Sequence, residues 1–415
     1  MAYIKRHLEE HVRTIAEQFP AVMVTGARQV GKSTMLGELF PEHDAVTFDD
    51  PILRAQAVRD PALLLMNHPR PVVLDEIQYV PELFIHLKMG CDSQPIPGGY
   101  VVTGSQPLRL MEKASESLAG RVGIVELPGV SLRELQEVSE RAPFIPTAEY
   151  FEQRQSTVVE EADIWQRIHR GSYPGAQDDS VHWGTFYASY VQTYLERDVQ
   201  DLARVHDKTQ FTVFLQAIAA RTGQMVNYEN LASELGISAA TIKSWVSVLE
   251  ASGIVMLLQP FSNSALNRAI KTPKIYMRDT GLACYLTQWS NPKVASAGAM
   301  AGALFETYVV GEIVKSFLNA GIDYRFHLRY YRGKDRMSRG GVKQEEEVDL
   351  IISIDGINYP IEIKKSANPT PSMTAAFSVL DRAVDASRGT GTIICMYPKM
   401  MRLERDLFVC PPWWL

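Results

Sequence analysis

Gly26-Ala27-Arg28-Gln29-Val30-Gly31-Lys32-Ser33-Thr34 is the stretch whose reading decides the first half of the chain. Gly26, Gly31, Lys32 and Ser33 fill every fixed position of the phosphate-loop pattern G-x-x-x-x-G-K-[S/T]. Glycines let successive backbone N–H groups turn inward around phosphate oxygens, and a helix opening at Lys32 adds its free N-terminal donors. All nine residues therefore count as nucleotide-contacting. Lys32 is placed to reach the β- and γ-phosphates, and Ser33 to ligate Mg²⁺. The flanks agree: Ala21–Thr25 (AVMVT) is a short buried-strand run, and Thr34–Phe40 carries apolar residues at helical spacing.

Outward from that loop, 415 residues allow two to four domains, and 46% hydrophobic with 22% charged residues is ordinary for a globular chain. A net charge of −6 excludes a polycation, so any nucleic-acid contact must come from a local patch. Cys91, Cys284, Cys395 and Cys410 lack metal-type or redox-type spacing and fit reduced thiols. With no signal-type or membrane-length apolar segment, the expectation is a cytoplasmic protein without a membrane partner. An amphipathic helix is expected over residues 3–18, a strand at 45–48 and a helix from Arg54 to Met66.

The strand ending in Asp75-Glu76 supplies what a nucleotide hydrolase needs beside its loop. Asp75 can hold the Mg²⁺ hydration shell and Glu76 can polarise the attacking water. A second strand, Tyr100–Thr103, ends at Gly104-Ser105-Gln106, where Ser105 or Gln106 could sense a γ-phosphate or simply make a turn. No Asn-Lys-x-Asp selects guanine, so ATP is the expected nucleotide. The series phosphate loop, Asp75-Glu76, Thr103-Gly104-Ser105 and Leu118-Ala119-Gly120-Arg121 resembles an AAA+ ATPase core. It is most similar to the prokaryotic AAA-family ATPases fused to a C-terminal nuclease-like domain of unknown function. That resemblance implies a doubly wound α/β sheet over residues 1–145, Ser105 as sensor 1 and Arg121 as an arginine finger acting on a neighbouring copy in a homo-oligomer. Read locally, Arg121 is equally a helix C-terminal arginine complementing the dipole.

Residues 146–205 are expected to form a helical lid, with Arg170 and Arg197 both open as its sensor 2. The family usually has two glycines before Tyr173-Pro174, and here Ser172 takes the second. Residues 206–288 read as a winged helix-turn-helix: Tyr228–Leu235, a turn at Gly236-Ile237, then a helix capped by Ser238, with Gly253–Leu258 and Lys274–Met277 as wing strands. Lys243 is the lone cation of the second helix, which favours a scaffold over a reader of DNA.

After a small-residue linker at 290–302, residues 298–415 form the last unit. A helix runs from Leu304 to Phe317 with Glu306 at its start. The stretch 325–343 gathers seven basic residues, Arg325, Arg329, Arg332, Lys334, Arg336, Arg339 and Lys343, against the single acid Asp335, with Phe326, Tyr330 and Tyr331 interleaved. It suits either a nucleic-acid backbone with bases to stack or a solvated loop. Asp355-Gly356 between alternating apolar runs predicts a two-residue hairpin in which Ile354 opposes Ile357 and Asp349 opposes Glu362, with Lys364 on the same face. Two facing carboxylates need a cation, and nothing in the hairpin besides Lys364 supplies one. This resembles the PD-(D/E)xK nuclease fold, which implies Glu306, Asp349 and Glu362 as ligands of a second divalent metal and Lys364 as the catalytic lysine. DNA or RNA is then the implied partner. The competing reading is an ATP-gated switch or interaction protein whose nuclease-like domain is not catalytic.

Overall fold

A computed structural model describes residues 3–104, 118–194, 208–261, 272–333, 336–337, 343–344, 346–382 and 386–415. Its first layer grows from the phosphate-loop strand. α1 (Leu8–Gln18) leads into β1 (Ala21–Thr25), α2 (Lys32–Leu39), β2 (Asp44–Thr47), α3 (Pro51–Arg59), α4 (Pro61–Asn67), β3 (Val72–Asp75), α5 (Leu83–Ser93), β4 (Tyr100–Thr103) and β5 (Val122–Glu126). The five strands pair in parallel in the order β2-β3-β4-β1-β5. Parallel strands need cover on both faces. Val22 and Val24 of β1 pack with α1 and α2, while Ala21 and Met23 pack with Ala57, Leu64, Phe84 and Leu87 of α3 to α5. Inserting β4 between β1 and β3 puts the ends of three strands around one point.

Two expected helices are corrected here. The N-terminal helix begins at Leu8 rather than residue 3, because Arg6 and the His7 amide are drawn onto Glu134. The segment from Arg54 to Met66 is two helices, since Asp60 leaves helical geometry (φ −150) and its carboxylate caps Leu63 N while Pro61 opens α4.

The middle of the chain is helical with interruptions: Ala148–Arg154, Ile164–Arg170, a 3₁₀ turn at Pro174–Gln177, and Trp183–Tyr190. Helices Tyr228–Leu235 and Ala239–Ala251 follow, the first closed by Gly236 in the left-handed region and the second capped by Ser238. β6 (Gln224–Met225), β7 (Val255–Leu258) and β8 (Lys274–Met277) make an antiparallel sheet with β8 at its centre. The expected linker at 290–302 contains a helix, Pro292–Ala297, capped by the Asn291 side chain. The helix carrying Glu306 is longer than expected, Ala301–Asn319.

The last layer is a mixed sheet built from β9 (Leu328–Arg332), β12 (Glu347–Ile354), β13 (Ile357–Lys364), β14 (Ser387–Arg388), β15 (Gly391–Cys395), β16 (Met401–Glu404) and β17 (Leu407–Cys410), in the order β16-β17-β15-β13-β12-β9 with β14 beside β13. The short strands β10 (Arg336–Met337) and β11 (Lys343–Gln344) pair separately. The hairpin has the expected register, Ile354 opposite Ile357, and both turn residues, Asp355 (φ 51) and Gly356 (φ 74), adopt the positive φ of a type I′ turn. Among the described residues no helix is long and apolar enough to cross a membrane.

Among the described residues the largest hydrophobic core runs from Leu8 through three of the sheets to Leu415. Trp413, Trp414 and Leu415 are buried, and the Trp414 ring lies 6.0 Å from Phe151. Tyr150 Oη donates to Trp414 O (2.8 Å) and the buried Arg133 Nε to Leu415 O (2.7 Å). Replacing Trp414 by Ala should therefore cost about 3–5 kcal/mol, read as a lower urea midpoint; an unchanged midpoint would show that the tail is not part of the core.

Candidate functional site

The phosphate loop takes its shape from backbone that few residues tolerate. Gly26 (φ +140) has no room for a side chain, because a Cβ would lie 2.4 Å from Leu127 O. Gln29 (φ 65) and Gly31 (φ 93) are left-handed, and α2 starts at once with Lys32. The Lys32 ammonium is buried and donates to Gly26 O (3.2 Å) and Ala27 O (3.0 Å). Burial pushes its pKa down to about 8, against the pull of Glu76 and Asp75.

Beside it, Ser33 Oγ lies 2.9 Å from both carboxylate oxygens of Asp75 at the end of β3. Thr103 Oγ1, at the end of β4, donates to Asp75 Oδ1 (2.5 Å). Glu76 follows in the left-handed region (φ 56) and accepts from Gln78 Nε2. Lys32, Ser33, Asp75 and Glu76 are thus brought together, and Thr103 joins them without having been singled out. Ser105 lies outside the described residues, as does Arg197. Arg170 donates to Ala176 O and Asp178 O (both 2.6 Å), which commits it to its own turn. Arg121 precedes β5 at the sheet end opposite the loop and pairs with Asp92 of α5. It does not face Lys32 of its own chain.

Four segments distant in sequence clasp the loop. Arg6 is buried and donates from Nη1 to Val30 O (2.9 Å), from Nη2 to Pro128 O (2.7 Å) and Gly129 O (3.2 Å), and from Nε to Glu134 (3.2 Å). Gly253 (φ +71) presses on Ala27, its virtual Cβ only 3.2 Å from the Ala27 Cβ. Pro174 reaches Gly31, and Arg28 lies over the Tyr194 ring at 5.7 Å. The turn holding Pro174 is intact despite Ser172. Ser172 N and Oγ donate to Asp279 Oδ2 (2.5 and 2.9 Å), and the opposing Gly129 leaves the room that a side chain there would take.

The second predicted centre is corrected in its chemistry. Glu306, Asp349, Glu362 and Lys364 do converge, but among the described residues no three acidic, histidine or cysteine side chains are grouped to hold a metal. Lys364 Nζ pairs with Glu362 (2.5 Å) and Asp349 (3.5 Å), supplying the balancing charge itself. Asp349 Oδ2 accepts from Ile363 N (2.8 Å), so its carboxylate is spent partly on the neighbouring strand. Glu306 is held by Tyr276 Oη (2.6 Å) and Lys274 Nζ (3.2 Å), both from β8; Lys274 also pairs with Glu347 (2.7 Å). Burial and the Asp349 charge raise the pKa of Glu306 and carry that of Glu362 to about 7. Lys274 and Tyr276 were read only as part of a wing strand, and Glu347 only as facing Lys364 in the hairpin. The one signal for the first two was a cation two residues before a tyrosine on an otherwise apolar strand.

Part of the basic stretch is answered by acids: Arg325 pairs with its neighbour Asp323 and with the distant Glu126, and Arg332 with Glu347. Tyr330 is buried beneath Lys274 (5.4 Å) and offers no stacking face, whereas Phe326 is 76% exposed. Lys334, Asp335 and Arg339 lie outside the described residues, as do the side chains of Arg336 and Lys343.

Comparison with known proteins agrees with the loop geometry. Residues 18–136 match the model of an AAA domain, residues 161–293 a domain of unknown function (DUF8612) and residues 301–414 another (DUF4143). Uncharacterized proteins of Mycobacterium bovis and Mycobacterium tuberculosis are each 28% identical over 389 residues, covering 91% of this chain and 77% of theirs. The Walker-type ATPase of Pyrococcus abyssi is 15% identical, covering 68% of this chain and 96% of that one, with a TM-score of 0.40.

The Lys32 environment gives a pH signature. Phosphate binding needs the ammonium form, and in the free protein that form is lost above about pH 8. Nucleotide affinity should be flat below that value and fall by up to about tenfold per unit above it, measured by calorimetry. Lys32→Arg should remove the fall; an unchanged slope in that variant would exclude Lys32 as its source.

Proposed function

We propose that this chain, whose residues 18–136 form a P-loop AAA domain, binds ATP with Mg²⁺ and hydrolyses it. One juxtaposition carries the reading: the Ser33 hydroxyl against the Asp75 carboxylate, one residue from the buried Lys32. Hydroxyl and carboxylate are hard oxygen donors, and together with phosphate oxygens they suit Mg²⁺. Bound there, the ion would offset charge on the β- and γ-phosphates. Lys32 would exchange the carbonyls of Gly26 and Ala27 for phosphate oxygens. Glu76, oriented by Gln78, would align a water on the γ-phosphorus and take its proton as the bond to ADP breaks. Ser105 is assigned the γ-phosphate contact, and Arg121 the ATP of a neighbouring copy in a homo-oligomer. We place the chain in the cytoplasm.

A second reading concerns residues 298–415. The convergence of Glu306, Asp349, Glu362 and Lys364 supports a nuclease-like domain acting on DNA or RNA, with residues 206–288 as a winged-helix scaffold. As arranged, the acid centre does not fit a divalent metal, since two ammonium groups already hold its carboxylates. That observation favours an ATP-gated switch over a constitutive nuclease.

Lys32→Ala should abolish ATP binding, while Glu76→Gln should keep binding and lose turnover by about 100-fold or more; equal turnover by wild type and Glu76→Gln would sink the assignment. If Arg121 works between copies, specific activity should rise with protein concentration. Mixing inactive Arg121→Ala and Lys32→Ala proteins should then restore part of it. Concentration-independent turnover by a monomer would leave Arg121 a structural partner of Asp92.

A further inference from the structure

A strand at the edge of a sheet presents a row of unpaired N–H and C=O groups, which folded chains cover or guard with charge. β9 is covered: Phe261 N donates to Tyr330 O (2.6 Å) and Tyr330 N to Gln259 O (3.2 Å). β16 carries the exposed Arg402 and Glu404, and β2 the exposed Asp44. β5, the other edge of the parallel sheet, has neither guard among the described residues. Its central residue is Ile124, 42% exposed, and its one carboxylate, Glu126, is drawn off by Arg278.

The register says which backbone groups are free. Leu127 N donates to Thr25 O and Ala21 N to Arg121 O, so the odd-numbered residues of β5 turn their backbone toward β1. The N–H and C=O of Ile124 and Glu126 then point the other way, away from the sheet. There they meet a cavity of about 510 Å³. Val125 packs in the core with Leu8 of α1, whereas Ile124 and Glu126 send their side chains to the opposite face. All three line the cavity, which therefore runs past the strand's edge rather than over one face. The helix Ala239–Ala251, through Ser247 and Glu250, and residues 322–325 wall it as well.

We propose that the open edge of β5 receives an extended peptide of a partner protein, added as a further strand to the ATPase sheet and carrying a basic side chain for Glu250. The unpaired backbone calls for a strand, the recognition mode in which main-chain bonds give affinity and alternate side chains give specificity. The cavity has the size of an ordinary ligand pocket, and its walls stand where a second sheet would have to continue, so it takes one short segment. Charge selects the sequence. Arg278 is paired with Glu126, and Arg325 with Glu126 and Asp323, but the Glu250 carboxylate is in no ion pair among the described residues. Ile124 and Val255 offer apolar contact to β-branched side chains of the same peptide. Thr25 and Gly26 also line the cavity, so the added strand lies against the root of the phosphate loop.

The test selects binders to the full-length protein from a display library of random peptides roughly ten residues long, then measures the synthetic peptides by fluorescence anisotropy. Selected sequences should alternate apolar residues and include a lysine or arginine. Ile124→Pro removes the outward N–H, which β1 does not use, and should weaken them about tenfold or more. Glu250→Lys, by reversing the charge, should weaken them by a similar factor. Amide exchange at residues 122–126 should slow when a selected peptide is bound. A selection that yields no binder, or binders that Ile124→Pro holds as tightly as wild type does, would overturn the proposal. Weakening by Ile124→Pro with full binding by Glu250→Lys would keep the added strand and overturn its basic side chain. Dimerisation with rising concentration, abolished by Ile124→Lys, would overturn the partner peptide and assign the edge to a second copy. Melting temperature and nucleotide binding, both expected unchanged, report that the variants are folded. Should Ile124→Pro fail to fold, Ile124→Lys, which keeps every backbone bond, decides: lost peptide binding supports the proposal and retained binding overturns it.

Discussion

A single buried guanidinium, Arg6, ties the phosphate loop to the rest of the molecule. It holds the loop at Val30 O and, with the same planar fork, the 128–129 segment and Glu134. Glu134 in turn is fully engaged by Arg6, the His7 and Ser131 amides and the Ser131 hydroxyl. Burial works against its ionisation, but these partners keep its pKa below the usual carboxylate range. Losing Arg6 would strand a buried carboxylate, a cost of about 3–5 kcal/mol, and free the back of the loop at the same time. The helix Ala301–Asn319 docks on this segment, through Glu312 to Leu132 N (2.9 Å) and Lys315 to Val130 O (3.1 Å). The nucleotide loop and the helix bearing Glu306 are therefore fastened to the same stretch of chain.

That arrangement gives the molecule two independent bridges between its charged centres. One is the rigid helix, fixed by buried pairs and apolar packing. The other is β8, held between β6 and β7 and packed through the buried Ile275, Tyr276 and Met277, with a charged group at each end: Lys274 at the acids, Arg278 and Asp279 near the loop.

The parts legible in the sequence were those governed by local rules. Gly26 and Gly31 announce their backbone, Asp75 and Glu76 follow an apolar strand, and Asp355-Gly356 fixes a hairpin register that carries Asp349 and Glu362 to one centre. Pro61 after Asp60 was a readable break that the apolar spacing of 54–66 concealed. What stayed hidden depends on long-range charge. Arg6 looks like one cation in a polar N-terminus, and nothing local says that it is buried against Val30 and Glu134. Tyr330 looked like a stacking residue because its neighbours are basic, yet β9 turns it under Lys274. The hairpin called for a cation between its facing carboxylates, and its own Lys364 supplies it; that Lys274 answers Glu306 and Glu347 required the tertiary fold.

The central claim is that nucleotide binding at Lys32 is felt at the acid centre because loop, β8 and the helix Ala301–Asn319 belong to one packed body. Amide hydrogen exchange with and without Mg²⁺–ATP tests it directly. The account requires altered exchange in residues 272–279 and around Glu306 as well as in the loop. Changes confined to residues 18–136 would contradict it.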